Sequence, residues 1–228
     1  MGERRAARIL RRGLSLLRRL ADTLVGIVLA PRCVACEQAL DAPLHGPACH
    51  RCWDAIDDSG RYEGPLREII HAFKYEGRRS LARHLALRMR ARGVDTLQDA
   101  DCVVPVPLHV GRRLRRGFNQ AADLAQHLER PVVHALWRTR HTAPQTGLPA
   151  VARRRNVRRA FRLSPLLTRR ARAALIAGRV VVLVDDVMTT GATLAACAAV
   201  LRAAGAREVR TLTVARAMPP QRATSAHE

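Results

Sequence analysis

The sequence predicts an α/β fold, a parallel sheet with helices on both faces, joined to a small four-cysteine module. Three observations carry this. Strand-like runs at 101–109, 131–137, 179–185 and 208–217 alternate with stretches of helical apolar spacing, and such alternation builds βαβ units and a parallel sheet. The run Val180, Val181, Val182, Leu183, Val184 is apolar throughout, as a buried strand is. Four of the six cysteines fall as Cys33-x2-Cys36-x12-Cys49-x2-Cys52.

At 228 residues the chain can bury one substantial core and a small appendage. The expected division is a basic amphipathic helix at 1–30, a cysteine module at 31–58, the main α/β domain at 59–217 and a disordered polar tail at 218–228. Lys plus Arg total 40 against 19 acids, a formal charge of +21. A field of that size draws in polyanions: nucleic acid, phosphate ligands or anionic lipid. Only Lys74 is a lysine; so complete an arginine bias, beside abundant alanine, also fits nucleotide-composition pressure, which leaves part of the charge without a functional reading.

No run of about 18 apolar residues is present, so no transmembrane helix is expected. The opening MGERRAARILRRGLSLLRRL, followed by LVGIVLAP, has the outline of a signal peptide. Its apolar core is short, Arg18 and Arg19 stand close before it and no A-x-A site follows, so an amphipathic helix is the better reading. Leu10, Leu14, Leu17, Ala21, Leu24 and Val28 share one face, with Arg8, Arg11, Arg12, Arg18 and Arg19 largely off it. That stripe either docks onto the rest of the protein or serves a membrane surface or a nucleic acid as a peripheral contact.

Each C-x-x-C turn brings two thiolates to one side of a metal, and Cys33, Cys36, Cys49 and Cys52 together complete a tetrahedral zinc site. A closed four-thiolate site is structural, so zinc is expected to fold residues 31–58. His45 and His50 lie in the same loop without the symmetric spacing and stay outside the ligand set. Cys102 and Cys197 sit in apolar patterns and read as inert core residues. Free thiols in a chain without a convincing secretion signal indicate the cytoplasm.

Along the chain, helices are expected from about Pro65 and from about Ser80 to Arg92, where Gly93 ends the second. In DCVVPVPLH the prolines stop the first core strand and turn it into a shaped loop. A basic loop and a helix carrying Ala121, Leu124, Ala125 and Leu128 follow. Residues 138–165 hold eight arginines and no acid and read as a long loop with one short helix. A strand at 179–185, a helix at 191–204 with Gly205 as its cap, and a strand at 208–217 complete the sheet.

Ligands of parallel sheets sit at the carboxyl ends of the strands, which is where Asp185, Asp186 and the loop Thr189-Thr190-Gly191-Ala192-Thr193 emerge. That loop offers backbone N–H groups, hydroxyls and the positive end of a helix dipole to a phosphate monoester. The two carboxylates would repel a bare phosphate but accept hydrogen bonds from sugar hydroxyls. Together they suit a ribose 5-phosphate. No G-x-x-x-x-G-K-[ST] is present, against a P-loop nucleotidase.

VVLVDDVMTTGAT resembles the thirteen-residue signature of type I phosphoribosyltransferases. The resemblance implies that Asp185 and Asp186 hold the ribose 2'- and 3'-hydroxyls of phosphoribosyl pyrophosphate and that Thr189, Thr190, Gly191, Ala192 and Thr193 cradle its 5'-phosphate. It also implies a type I phosphoribosyltransferase-like domain over 59–217. The cysteine module, AFKYEG (72–77), VPVPLH (104–109), RRGFNQA (115–121), QTGL (145–148), Arg153, Asn156 and Phe161 follow in the order of the ComF family of bacterial competence proteins, the ComFC and GntX type, which the chain resembles from Pro31 to about Ala217. By that resemblance the pyrophosphate loop maps to Val104, Pro105, Val106, Pro107 and Leu108. Arg112, Arg113, Arg116 and Lys74 are then candidate diphosphate contacts, with Mg2+ bridging diphosphate and ribose.

Two functions stay open. In the first, a nucleophile displaces pyrophosphate at the anomeric carbon; no base-recognising hood is identifiable, so the acceptor is unread, and no side chain is an obvious general base, although His109 or His71 could serve. In the second, the pocket is regulatory or vestigial and the arginine surface, Arg153, Arg154, Arg155 and Arg158 foremost, binds single-stranded DNA in a competence setting with other competence proteins as partners.

Overall fold

The computed structural model describes residues 17, 20–26, 28–139 and 160–217, and of 110 and 112 the backbone only. The chain forms two compact units, Met1–Asp57 with Glu63–Leu81, and Asp58–Tyr62 with Ala82–Glu228.

In the first unit a tight hairpin carries the first cysteine pair. Arg32 bridges Ala39 in antiparallel fashion, the Cys33 N–H donates to Gln38 O at 2.8 Å and the Leu40 N–H to Pro31 O at 3.0 Å. A short 3-10 turn at Pro43–His45 leads to α1 (His50–Asp54), which carries Cys52. Helix α2 (Gly64–Tyr75) starts with proline in its first turn, where no N–H is missed. Its Leu66, Ile69, Ile70 and Phe73 recur at helical spacing and are all 3% exposed or less. The backbone at residues 20–26 and 28–29 is helical. Docking of its apolar stripe is not what the described residues display: Leu17, Leu20, Leu24 and Val28 are all exposed, and Asp22 is the buried residue of that helix.

The second unit is built on a parallel sheet. Strand β1 (Cys102–Pro105) pairs with the central β2 strand of the unit (Val180–Met188), which pairs on its other side with β3 (Glu208–Arg216). Both ladders are parallel, with Pro105 opposite Val184 and Val184 opposite Leu212. Both faces are covered. Val181 and Leu183 enter one cluster with Cys197 and Leu201, while Val180, Val182 and Val184, which alternate to the other side, are equally buried.

Helix α3 (Leu81–Arg92) leads through Gly93 into a single turn, α4 (Val94–Leu97). Gly93 is not a left-handed cap: its φ is −104°. Glycine is required there by room, because a Cβ would lie 2.6 Å from Leu212 Cδ1 and 2.8 Å from Met89 O. After β1, the stretch expected as a basic loop contains α5 (Val110–Arg116), capped by His109 and closed by Gly117 at φ +75°. An arginine-rich helix has no apolar stripe to betray it. Helix α6 (Gln120–Ala125) follows.

The expected strand at 131–137 divides. Val132 makes one parallel bridge to Val103, with the Val103 N–H donating to Pro131 O and the Val133 N–H to Val103 O, both at 2.9 Å. The next rung would need an N–H from Pro105, which has none. The chain therefore leaves the sheet and forms β4 (Leu136–Arg138), which pairs antiparallel with β5 (Phe161–Leu163) in a separate ribbon. Helix α7 (Arg169–Leu175), which the sequence reading passes over, starts at Thr168, whose hydroxyl accepts from Ala171 N–H at 3.1 Å. Helix α8 (Ala192–Ala203) buries Leu194, Cys197, Ala198 and Leu201, and Gly205 follows it at φ +96°.

Candidate functional site

The central strand does not end at the acids, as the sequence suggests. It stays paired to Met188, opposite Arg216, so Asp185 and Asp186 sit inside the strand. They nonetheless lie beyond the carboxyl end of β1, whose last partner is Val184. The half-buried carboxylates thus emerge where the neighbouring strand has stopped, the place where parallel sheets take ligands. One Asp185 oxygen accepts the Asp186 N–H at 2.9 Å.

Three residues past the strand, the chain turns into α8. Gly191 is the residue before the helix and has φ +71°, a conformation costly for any side chain with a Cβ. Thr189 and Thr190 are exposed, and Gly191, Ala192 and Thr193 are half-buried. The Thr190 hydroxyl accepts from the Ala192 N–H at 3.4 Å. The remaining first-turn N–H groups of this twelve-residue helix point out of its amino end, as helix starts do, and with the dipole they make an anion site.

The loop after β1 is held beside these groups. The Val106 N–H donates to Val184 O at 2.9 Å, one residue before Asp185. The Asn119 side chain donates to Val106 O at 3.1 Å, and the His109 ring accepts the Gly111 N–H at 3.2 Å. Val104, Pro105 and Val106 are buried and Pro107 half-buried. Sequence reasoning missed Asn119 as a brace because its partner lies thirteen residues back; the motif RRGFNQA was the available signal. His109 is a helix cap, a structural use of its ring.

Of the basic candidates, Arg116 is half-buried on α5; the side chain of Arg112 lies outside the described residues. Lys74, half-buried on α2, belongs to the other unit. Arg153, Arg154, Arg155 and Arg158 lie outside the described residues. Cys102 and Cys197 are buried: burial, followed by the Asp101 charge, pushes the Cys102 thiol up to about 11, and burial, followed by the Asp185 charge, also pushes Cys197 up. The ring of Phe161 lies under the Arg138 guanidinium at 5.2 Å.

The four cysteine sulfurs converge within 4.8 Å of one another, with Cys36 and Cys49 Sγ 3.7 Å apart. A tetrahedron with metal–sulfur bonds of about 2.3 Å has edges of about 3.8 Å, so the donor set suits a metal ion. Cys33 Sγ accepts N–H bonds from Cys49 at 3.3 Å and Ala35 at 3.5 Å. Burial alone raises the Cys33 thiol, but N–H donors from Cys49, Ala35 and Cys36 outweigh it and bring it down to about 6. Burial and the three neighbouring sulfurs push Cys52 the other way, a crowding that a divalent cation relieves. Both histidines stay out of the cluster; His45 is 3.7 Å from the Asp22 carboxylate.

Residues 114–227 match the family model described as a phosphoribosyl transferase domain. Competence protein F of Haemophilus influenzae is 35% identical over 203 residues, covering 82% of this chain and 85% of its own. DNA utilization protein YhgH of Escherichia coli K12 is 36% identical over 187 residues, covering 75% and 78%. Among solved structures, the allosteric regulatory enzyme of purine biosynthesis aligns over 60% of this chain and 26% of its own, at 24% identity and a TM-score of 0.38; no argument rests on that overlap. The chain belongs to the competence protein F (ComF) family and carries a phosphoribosyl transferase domain.

Proposed function

We propose that this protein binds phosphoribosyl pyrophosphate with Mg2+ and is a phosphoribosyltransferase acting in DNA uptake and use. One observation carries the reading: two carboxylates on the central strand precede a left-handed glycine at a helix start, next to the proline loop of the adjacent strand. Asp185 and Asp186 accept hydrogen bonds from the ribose hydroxyls. The N–H groups and hydroxyls from Thr189 to Thr193 take the 5'-phosphate. The Val104–Leu108 loop, with Arg112 and Arg116, takes the diphosphate. In this role the carboxylates also face the positive charge that develops on the ribose as the diphosphate leaves, which is positioning and electrostatic catalysis. Mg2+ supplies charge neutralisation on the diphosphate oxygens.

The test is thermal melting and calorimetry with phosphoribosyl pyrophosphate and Mg2+. A ligand at about 100 times its Kd stabilises by about 2.7 kcal/mol, a rise of several degrees. Asp185→Asn with Asp186→Asn should abolish that rise while leaving the ligand-free melt within a degree or two. No rise in the parent protein overturns the reading.

The cysteine cluster in this proposal holds structural zinc, and reduced thiolates fit a cytoplasmic setting. A second reading, contact with single-stranded DNA, is favoured by the β4–β5 ribbon. Trp137 and Arg162 are cross-strand partners, both exposed, at the base of a segment with eight arginines and no acid between 138 and 165. An exposed indole beside a guanidinium offers one base a stacking surface and its phosphate a charge.

A further inference from the structure

The helix at residues 20–26 and 28–29 carries an aliphatic face that nothing described covers. Leu17 is 66% exposed, Leu20 59%, Leu24 64% and Val28 68%. At about 100° per residue, positions 17, 20, 24 and 28 fall within an arc of about 80°. Asp22 lies on the opposite side, and its side chain is 7% exposed. Its carboxylate accepts the Leu44 N–H at 2.8 Å and approaches His45 Nδ1 at 3.7 Å. The helix is thus fastened through its polar back to the loop that joins the two cysteine pairs, which sets its rotation and turns the leucines outward.

We infer that this face is an interfacial anchor that lies on an anionic lipid surface. Charge selects the occupant. Residues 1–19 contain seven arginines, Arg4, Arg5, Arg8, Arg11, Arg12, Arg18 and Arg19, and one acid, Glu3. A second copy of the chain would bring two such runs together, and like charges oppose that contact. An anionic bilayer pairs with them while its acyl boundary takes the aliphatic face. No helix among the described residues is long and apolar enough to cross a membrane, and a helix with a strong apolar stripe and a basic flank lies in the interface plane. The anchor is independent of the phosphoribosyl pyrophosphate reading, since it uses none of the same residues.

The experiment is co-sedimentation of the full-length chain with phosphatidylcholine vesicles, with and without phosphatidylglycerol. Partition into the phosphatidylglycerol vesicles is expected, with little into phosphatidylcholine alone. Leu20→Glu with Leu24→Glu should lower it at least tenfold; both positions are solvent-exposed, and an unchanged melt and far-UV spectrum verify the fold. Asp22→Asn, which keeps the acceptor oxygen, should retain binding. Three results overturn the inference: equal partition of the parent into both vesicle types, undiminished partition of the double variant, or a dimer in sedimentation that the double variant abolishes while vesicles capture neither protein.

Discussion

Asp101 fixes the register of β1 against the central strand at the amino end of the sheet. Its carboxylate accepts the Val180 N–H at 2.8 Å and the Arg179 guanidinium at 3.0 Å, and its own N–H donates to Val180 O at 3.0 Å. With the two strands aligned there, Pro105 meets Val184 four residues later, and the loop proposed for the diphosphate falls beside Asp185. The Val180 N–H first, then Arg179, hold the Asp101 carboxyl below the usual carboxylate range. A group whose folded pKa is depressed contributes stability that is present above its unfolded value, about 3.9, and is lost as pH falls through the folded value. Asp101→Asn should therefore melt lower than the parent at pH 7 and at pH 5, and the gap should narrow progressively below about pH 4. Melting curves at pH 7, 5, 4 and 3 measure it. A gap unchanged down to pH 3 would show that the charge is not the cause.

At the scale of elements, the core around the four cysteines is small, and the proposed metal is expected to supply the stability it lacks. Around the four sulfurs the buried set consists of Cys33, Leu40, Cys49 and Cys52, with Ala35 and Ala48 packed against them. One leucine cannot offset the ordering of that hairpin and loop. A strong zinc chelator should open it, and Cys49→Ser should do the same without chelator. Limited proteolysis would then cut between about 31 and 58 while the sheet survives; full protection in excess chelator would show that the module folds without metal. This module and the central strand were the elements most legible in the sequence. Cysteine spacing is a direct geometric statement, and a five-residue apolar run has few other uses. The ribbon and α7 were not legible, and for opposite reasons. The 131–137 run has the composition of a sheet strand, but the missing Pro105 N–H diverts it, a fact about its neighbour rather than itself. Helix α7 is mostly alanine and arginine with none of its own residues buried and Ile176 buried just after it, which leaves no periodic stripe to read. The candidate site divides the same way: the acids and the Thr-Gly loop are contiguous and can be read together, whereas Asn119 acts on Val106 across a helix and needs three dimensions.

For the molecule as a whole, the charge of +21 admits two explanations that salt separates. If arginine merely fills solvated faces, polyanions bind weakly wherever they meet it and the Trp137–Arg162 pair contributes nothing. If the ribbon is a built contact, one base stacks on Trp137 while neighbouring phosphates pair with arginines. Binding to single strands then follows log Kd with a slope of about 0.7 per phosphate against log salt. Five contacts give a slope of about 3.5, so affinity for an oligothymidylate should fall about 100-fold from 50 to 200 mM salt. The chain has two tryptophans, so Trp53→Phe leaves Trp137 as the sole indole, and its fluorescence should be quenched on binding. Trp137→Ala should weaken the oligonucleotide about tenfold, within the range for one stacked base, while leaving the salt slope intact. Arg162→Ala should instead lower that slope by about 0.7. An abasic oligonucleotide distinguishes the two halves of the pair, because it keeps the phosphates and removes the stack: the parent should bind it no better than Trp137→Ala does. Equal affinity of Trp137→Ala and parent for both oligonucleotides would leave the charge as a diffuse field and remove the ribbon from the DNA reading.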